Sequence, residues 1–134
     1  MTRRIVDTNV VLRFLVPGHE HYERAKAIFE FAEQGQFIII IPEVVIVEIA
    51  HVLRSIYKQT AEDIAEGLKR LIYMDGVDTL TPKHVLRSAL ENFALKVPWP
   101  DALIAAWAAE ENPPEIYTFD AHFDKFDNIT KIVP

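Results

Sequence analysis

Phe37-Ile38-Ile39-Ile40-Ile41-Pro42-Glu43-Val44-Val45-Ile46-Val47-Glu48 changes character at its proline. Before it stands an unbroken, β-branched apolar run of the kind buried on both faces of a parallel sheet. Pro42 suits the first turn of a helix, because its fixed φ is already helical and its missing N–H would have no partner there. The stretch therefore predicts a strand over 37–41 leading directly into a helix over 43–57. The same alternation extends both ways along the chain. Upstream it predicts a buried strand over 4–7, a short helix over 10–15 and an amphipathic helix over 19–33, with Tyr22, Ala25, Ile28, Phe29 and Ala32 at helical spacing. Downstream it predicts a helix over 60–73 capped by Thr60, a strand over 77–80 and a helix from Thr81-Pro82 to about 95. After these come a rigid loop over 97–100, a helix over 101–111, a strand over 116–119, a helical turn over 122–126 and a last strand over 129–133. Strands alternating with helices imply an α/β fold with a central parallel sheet and helices on both faces.

Composition sets the outer limits. The 134 residues are enough for one compact domain over 1–134 with a real core. Half are hydrophobic, which excludes a disordered segment. With no cysteine there is no disulfide, thiolate nucleophile or sulfur-based zinc site. The longest aliphatic run, 38–41, is far too short to cross a bilayer, and Asp7 and Asn9 interrupt what would follow the Arg3-Arg4 pair of a signal peptide. A soluble, cytoplasmic protein with no membrane contact is the expectation. The formal charge of −6 argues against a broad basic face gripping nucleic acid. It leaves open an enzyme that meets phosphate through bound cations, which reverse the local sign.

Four acids stand inside strongly apolar sequence. Asp7 ends Ile5-Val6, Glu48 interrupts Val44-Val45-Ile46-Val47, Asp101 heads Ala102-Leu103-Ile104-Ala105-Ala106-Trp107, and Asp120 closes Ile116-Tyr117-Thr118-Phe119. A carboxylate taken out of water must pair, change its pKa or bind a metal, and none of these has a basic neighbour in sequence. Asp7 and Asp120 fall at carboxyl ends of predicted strands and Asp101 at a helix start, the edge where ligands bind in open α/β sheets. Glu48, a turn and a half into its helix, could reach the same crevice, so one pocket could collect all four.

Each has an ordinary alternative. Asp7 and Asp120 can serve as helix N-caps, and Asp101 suits a helix dipole. Glu48, in a helix apolar on nearly every side, reads as buried and would otherwise need Arg54 or His51 as a partner. His19, His21, His84 and His122 show neither metal-ligand spacing nor a clear pairing, with His19 and His21 at an exposed helix start. Trp99 between two prolines could stack on a nucleobase, though packing down the loop is the commoner use. Trp107, Phe29 and Phe31 read as core, and Lys69-Arg70 as solvated.

Taken together, Ile5-Val6-Asp7-Thr8-Asn9-Val10, Pro42-Glu43-Val44-Val45-Ile46-Val47-Glu48, Pro100-Asp101-Ala102-Leu103-Ile104-Ala105-Ala106 and Tyr117-Thr118-Phe119-Asp120 resemble the PIN domain, a metal-dependent nuclease family. Each motif is weak alone, but the four follow the family's order over almost the whole chain. The resemblance implies that Asp7, Glu48, Asp101 and Asp120 form an acidic pocket for Mg²⁺ or Mn²⁺, supported by Thr8, Asn9, Thr118 and Asp124. Where many relatives carry another Asp two positions after the fourth acid, this chain has His122. Small members are most often VapC-type toxins, ribonucleases silenced by an antitoxin. RNA as substrate, an antitoxin partner and a homodimer are implied in the same way, the dimer contacts falling on the apolar helices within 19–73.

The ligand types point the same way. An oxygen-rich pocket suits hard cations such as Mg²⁺ or Mn²⁺, which can lower the pKa of a bound water and stabilise a leaving oxygen. A haloacid-dehalogenase-type phosphatase would need an acid at position 9, where Asn9 stands, and a phospho-receiver domain would need an acidic pair after the first strand. A PIN nuclease of RNA processing outside a toxin pair, and a catalytically silent partner-binding PIN module, are the remaining alternatives.

Overall fold

The computed structural model describes residues 1–134. Its strands and helices follow the order β1 (Arg3–Ile5), α1 (Thr8–Leu15), α2 (Tyr22–Glu33), β2 (Ile38–Ile41), α3 (Glu43–Ser55), α4 (Ala61–Ile72), β3 (Val77–Thr79), α5 (Lys83–Ala94), α6 (Trp99–Ala109), β4 (Glu115–Tyr117) and β5 (Thr130–Ile132). A 3-10 turn over Ala121–Lys125 lies between the last two strands. All strand pairs are parallel, as the alternation predicts. They form two sheets rather than one: β2 lies between β1 and β3, while β4 pairs with β5.

Ile39, Ile40 and Ile41 are all but inaccessible to solvent, so the central run is buried as its composition requires. They belong to a larger apolar interior or lie beside it: Ile39 and Ile41 pack with Phe29 of α2, Ile46 and Ile49 of α3, Ile64, Leu68 and Leu71 of α4, and Leu86 and Leu90 of α5. Thr60 caps α4 as predicted, its Oγ1 accepting the Asp63 N–H at 3.1 Å. A second, smaller core joins Val97, Ala105 and Ala108 to Phe123, Phe126 and Ile129. Helix α6 serves both, with Ala102 and Ala106 in the first core and Ala105 and Ala108 in the second. Small side chains on both sides of one helix allow that close packing. Burying Phe123 and Phe126, at roughly 1.5–3 kcal/mol each, seats the 3-10 turn against α6.

Several sequence expectations change. Strand β1 is shorter than predicted and its three residues are exposed, although Val6 just beyond is buried. Only one edge of β1 is paired, so no second neighbour covers it. Helix α1 starts at Thr8, directly after Asp7. The expected loop over 97–100 already enters α6, with Pro100 in its first turn. Trp99, by contrast, packs down as its commoner reading expects: it is buried edge-on to Phe93 with ring centroids 5.7 Å apart, which excludes the stacking alternative. Its indole N–H has no hydrogen-bond partner. Phe29 is core as expected, whereas Phe31 and Trp107 are each 43% exposed because they fall on the outer sides of their helices. Lys69 forms an ion pair with Glu66 at 2.9 Å. No helix is long and apolar enough to cross a membrane.

Candidate functional site

Asp101, Asp120 and His122 meet: one ligand atom from each lies within 4.8 Å of the other two. Asp101 is the third residue of α6, where a carboxylate interacts favourably with the helix dipole. Its side chain is 19% exposed. Asp120 precedes the 3-10 turn and caps it, Oδ1 accepting the His122 N–H at 2.8 Å. Thr118 Oγ1 accepts the Asp120 N–H at 2.9 Å, fixing the backbone that presents the carboxylate. The His122 ring turns Nδ1 inward, 3.0 Å from Asp101 Oδ2 and 3.4 Å from Asp120 Oδ1.

Asp7 and Glu48 are linked to each other through Thr8, and neither joins a group of three such donors. Asp7 lies two residues beyond β1 and is the N-cap of α1, Oδ1 accepting the Thr8 N–H at 2.7 Å. Thr8 Oγ1 in turn donates to Glu48 Oε2 at 2.8 Å, a long-range bond that ties the start of α1 to α3. Glu48 is exposed, contrary to the reading from its apolar neighbours. The apolar residues of α3 divide by helical geometry: Val45, Ile46, Ile49, Ala50 and Leu53 are buried, while Glu48 shares the open side with Val44 and His51. Its partner is Thr8 rather than Arg54 or His51.

Asp7, Glu48 and Asp120 are thus acids at solvent, with Asp101 partly covered, and their availability comes from the lack of neutralising cations rather than from desolvation. No lysine or arginine nitrogen lies within 4 Å of any of the four; the ion-pair partner of Asp101 and Asp120 is His122. Asp124 is engaged elsewhere, 2.7 Å from Lys131 Nζ. The sequence offers no pairing for His122; the pairing arises where the turn after β4 packs against α6. Its one legible signal is the Asp120-Ala121-His122 spacing. His84, also without an expected partner, bonds Glu110. His19 and His21 are exposed just before α2, as expected.

Asn9, in the first turn of α1, lines a cleft of about 620 Å³ together with Arg13, His19, His21, Arg24 and the acidic Glu20. Asn9 and Arg13 share a helix face at i, i+4 spacing. Neither Arg13 nor Arg24 is held in an ion pair. On a chain of net charge −6, the two unpaired guanidinium groups in this cleft, against the one carboxylate of Glu20, give it a locally positive charge.

A family model described as the PIN domain matches residues 4–129. A VapC ribonuclease of Aquifex aeolicus (strain VF5) is 28% identical over 123 residues, covering 91% of this chain and 90% of that protein.

Proposed function

Because this chain belongs to the PIN-domain family, we propose that it is a divalent-metal-dependent endoribonuclease, the toxin of a toxin–antitoxin pair acting in the cytoplasm. The observation that carries the reading is the convergence of the Asp101 and Asp120 carboxylates, which have no lysine or arginine partner. Similarity to a VapC ribonuclease along nearly the full length of both chains supports the ribonuclease class, the RNA substrate and the antitoxin partner.

The donor set fits a hard divalent cation: Asp101 and Asp120 converge, and carboxylate oxygens suit Mg²⁺ or Mn²⁺. We assign cation binding to Asp7, Glu48, Asp101 and Asp120. When bound, the metal supplies an activated water and Lewis-acid stabilisation of the phosphodiester oxygens. The chain's own residues provide the rest. Thr8 orients the Glu48 carboxylate through its 2.8 Å bond, and Asp7 caps α1 by accepting the Thr8 N–H. Thr118 holds the Asp120 backbone. Arg13 and Arg24 take the RNA backbone along the cleft that Asn9 opens, with phosphates meeting guanidinium donors in a charge-assisted fork. Homodimerisation uses the apolar helices within 19–73, where Phe31, Val44, Ile56, Tyr57 and Tyr73 are exposed.

A panel of single- and double-stranded RNAs incubated with Mg²⁺, Mn²⁺ or chelator tests the reading. Cleavage that requires metal and disappears in both Asp7→Asn and Asp101→Asn supports it. Undiminished cleavage in those variants, or no cleavage of any RNA together with no metal binding by calorimetry, overturns it.

A further inference from the structure

His122 stands closer to the Asp101 and Asp120 carboxylates than any other basic group of the chain. Its half-exposed ring has rotated one nitrogen inward, and that nitrogen is Nδ1, the atom nearer the backbone. The turn explains this choice. Asp120 Oδ1 accepts the His122 backbone N–H at 2.8 Å, which fixes the Asp120-Ala121-His122 loop so that both side chains leave it on one side. Phe123, buried immediately afterwards, anchors the turn in the second core.

We propose that His122 is a metal ligand through Nδ1, making this a mixed carboxylate–imidazole centre that favours Mn²⁺ over Mg²⁺. The inference rests on the assignment of cation binding to Asp101 and Asp120 above. Two donors about 2.1 Å from a six-coordinate ion and at right angles to each other lie about 3 Å apart. The separations of Nδ1 from Asp101 Oδ2 and Asp120 Oδ1, 3.0 and 3.4 Å, match adjacent corners of such a polyhedron. The first is also an ordinary hydrogen-bond length, so the Nδ1–H tautomer can donate a hydrogen bond to Asp101 when no cation is bound, and the Nε2–H tautomer can present the Nδ1 lone pair when one is. Neutral Nδ1 coordination leaves the proton on Nε2.

Ligand chemistry sets the preference. Mg²⁺ is held by oxygen and gives up its water reluctantly, whereas imidazole nitrogen is a better donor to the first-row transition ions. An aspartate at this position would add a further carboxylate beside Asp101 and Asp120 and make the site more negative, favouring Mg²⁺. Histidine replaces that charge with a neutral donor. The carboxylates would still supply most of the affinity, and the imidazole most of the discrimination.

Pulsed electron paramagnetic resonance of Mn²⁺ bound to the untagged chain tests this, because a coordinated imidazole modulates the electron-spin echo through its ¹⁴N nucleus. The wild-type chain is expected to show that modulation, and His122→Gln to bind Mn²⁺ roughly 10–100-fold more weakly and without it. His122→Asp should retain Mn²⁺ without the modulation and narrow the Mn²⁺-to-Mg²⁺ affinity ratio measured by competition. Mn²⁺ bound by the wild type with no ¹⁴N signal, or a signal that persists in both variants, overturns His122 ligation while leaving the metal-nuclease reading intact. No Mn²⁺ binding by the wild type overturns the proposal and removes the cation assignment with it.

Discussion

Gly76 and Gly67 invite the same substitution with opposite results. Gly76 stands just before β3 with φ of +81°, and a Cβ built there would lie 2.2 Å from the Ala32 carbonyl oxygen and 2.4 Å from its carbon. That carbonyl cannot easily retreat: it accepts the Gly35 N–H at 2.9 Å, and Ala32 is 1% exposed in the main core. The left-handed backbone costs an alanine about 1–2 kcal/mol, and forcing a methyl into packed surroundings costs about 1–3 more, so Gly76→Ala should lose roughly 2–5 kcal/mol. Gly67 lies within α4 with nothing inside 4 Å of a new Cβ. There alanine removes backbone freedom from the unfolded chain and gains helix propensity, for a stabilisation of about 0.5–1 kcal/mol. For a chain of this length each kcal/mol moves Tm by roughly 3–4 °C, so the variants should melt about 10 °C below and about 3 °C above wild type. Urea titrations followed by circular dichroism, with the slope m unchanged, give both differences directly. A loss under 1 kcal/mol for Gly76→Ala would refute the close approach of α2 to the start of β3. Because Gly76 O also accepts the Ile39 N–H at 2.8 Å, that result would further question the β2–β3 register on which α3 and Glu48 are carried.

Three other outcomes are expected. Thr8→Val keeps the shape of the side chain but deletes its bond to Glu48; a bond to a charged acceptor contributes about 1.5–3 kcal/mol, and at this exposed site the lower end predicts a Tm about 5 °C lower, with RNA cleavage about tenfold slower where the same free energy is lost at the transition state. Arg13→Ala with Arg24→Ala should raise KM for RNA and reduce the slope of log affinity against log salt by about 1.4, two single-strand phosphate contacts; an unchanged slope would remove the cleft from the RNA path. The Lys69 side chain, by hydrogen bond and charge, holds the Glu66 carboxyl below its ordinary value of 4.5. A lowered folded-state pKa contributes stability that is present above the unfolded value and lost as pH falls through the folded one. Glu66→Gln should therefore be slightly less stable than wild type at neutral pH and converge with it in acid, a convergence that paired urea titrations across that range would detect.

Local chemistry made much of this protein legible from residues alone. The Ile38–Ile41 run could only be satisfied in a buried strand, Pro42 could only open the helix after it, and Thr60 capped α4 through the next turn's N–H. Such features depend on a few neighbouring residues and on the fixed needs of the backbone. The four acids were likewise visible as charges inside apolar sequence, and their order along the chain already resembled the PIN family.

Tertiary structure decided their surroundings. Glu48 reads as buried in a one-dimensional view, but α3 turns it to the open side and gives it Thr8, forty residues away. Trp107 reads as core in a one-dimensional view but is exposed, whereas Trp99 packs down as the commoner reading expects, because α6 turns the two rings to different sides. Above all, His122 meets Asp101 where Phe123 and Phe126 are buried against α6. Helical period and strand composition are written within a few residues, whereas a contact across 21 positions depends on how separate elements share a core.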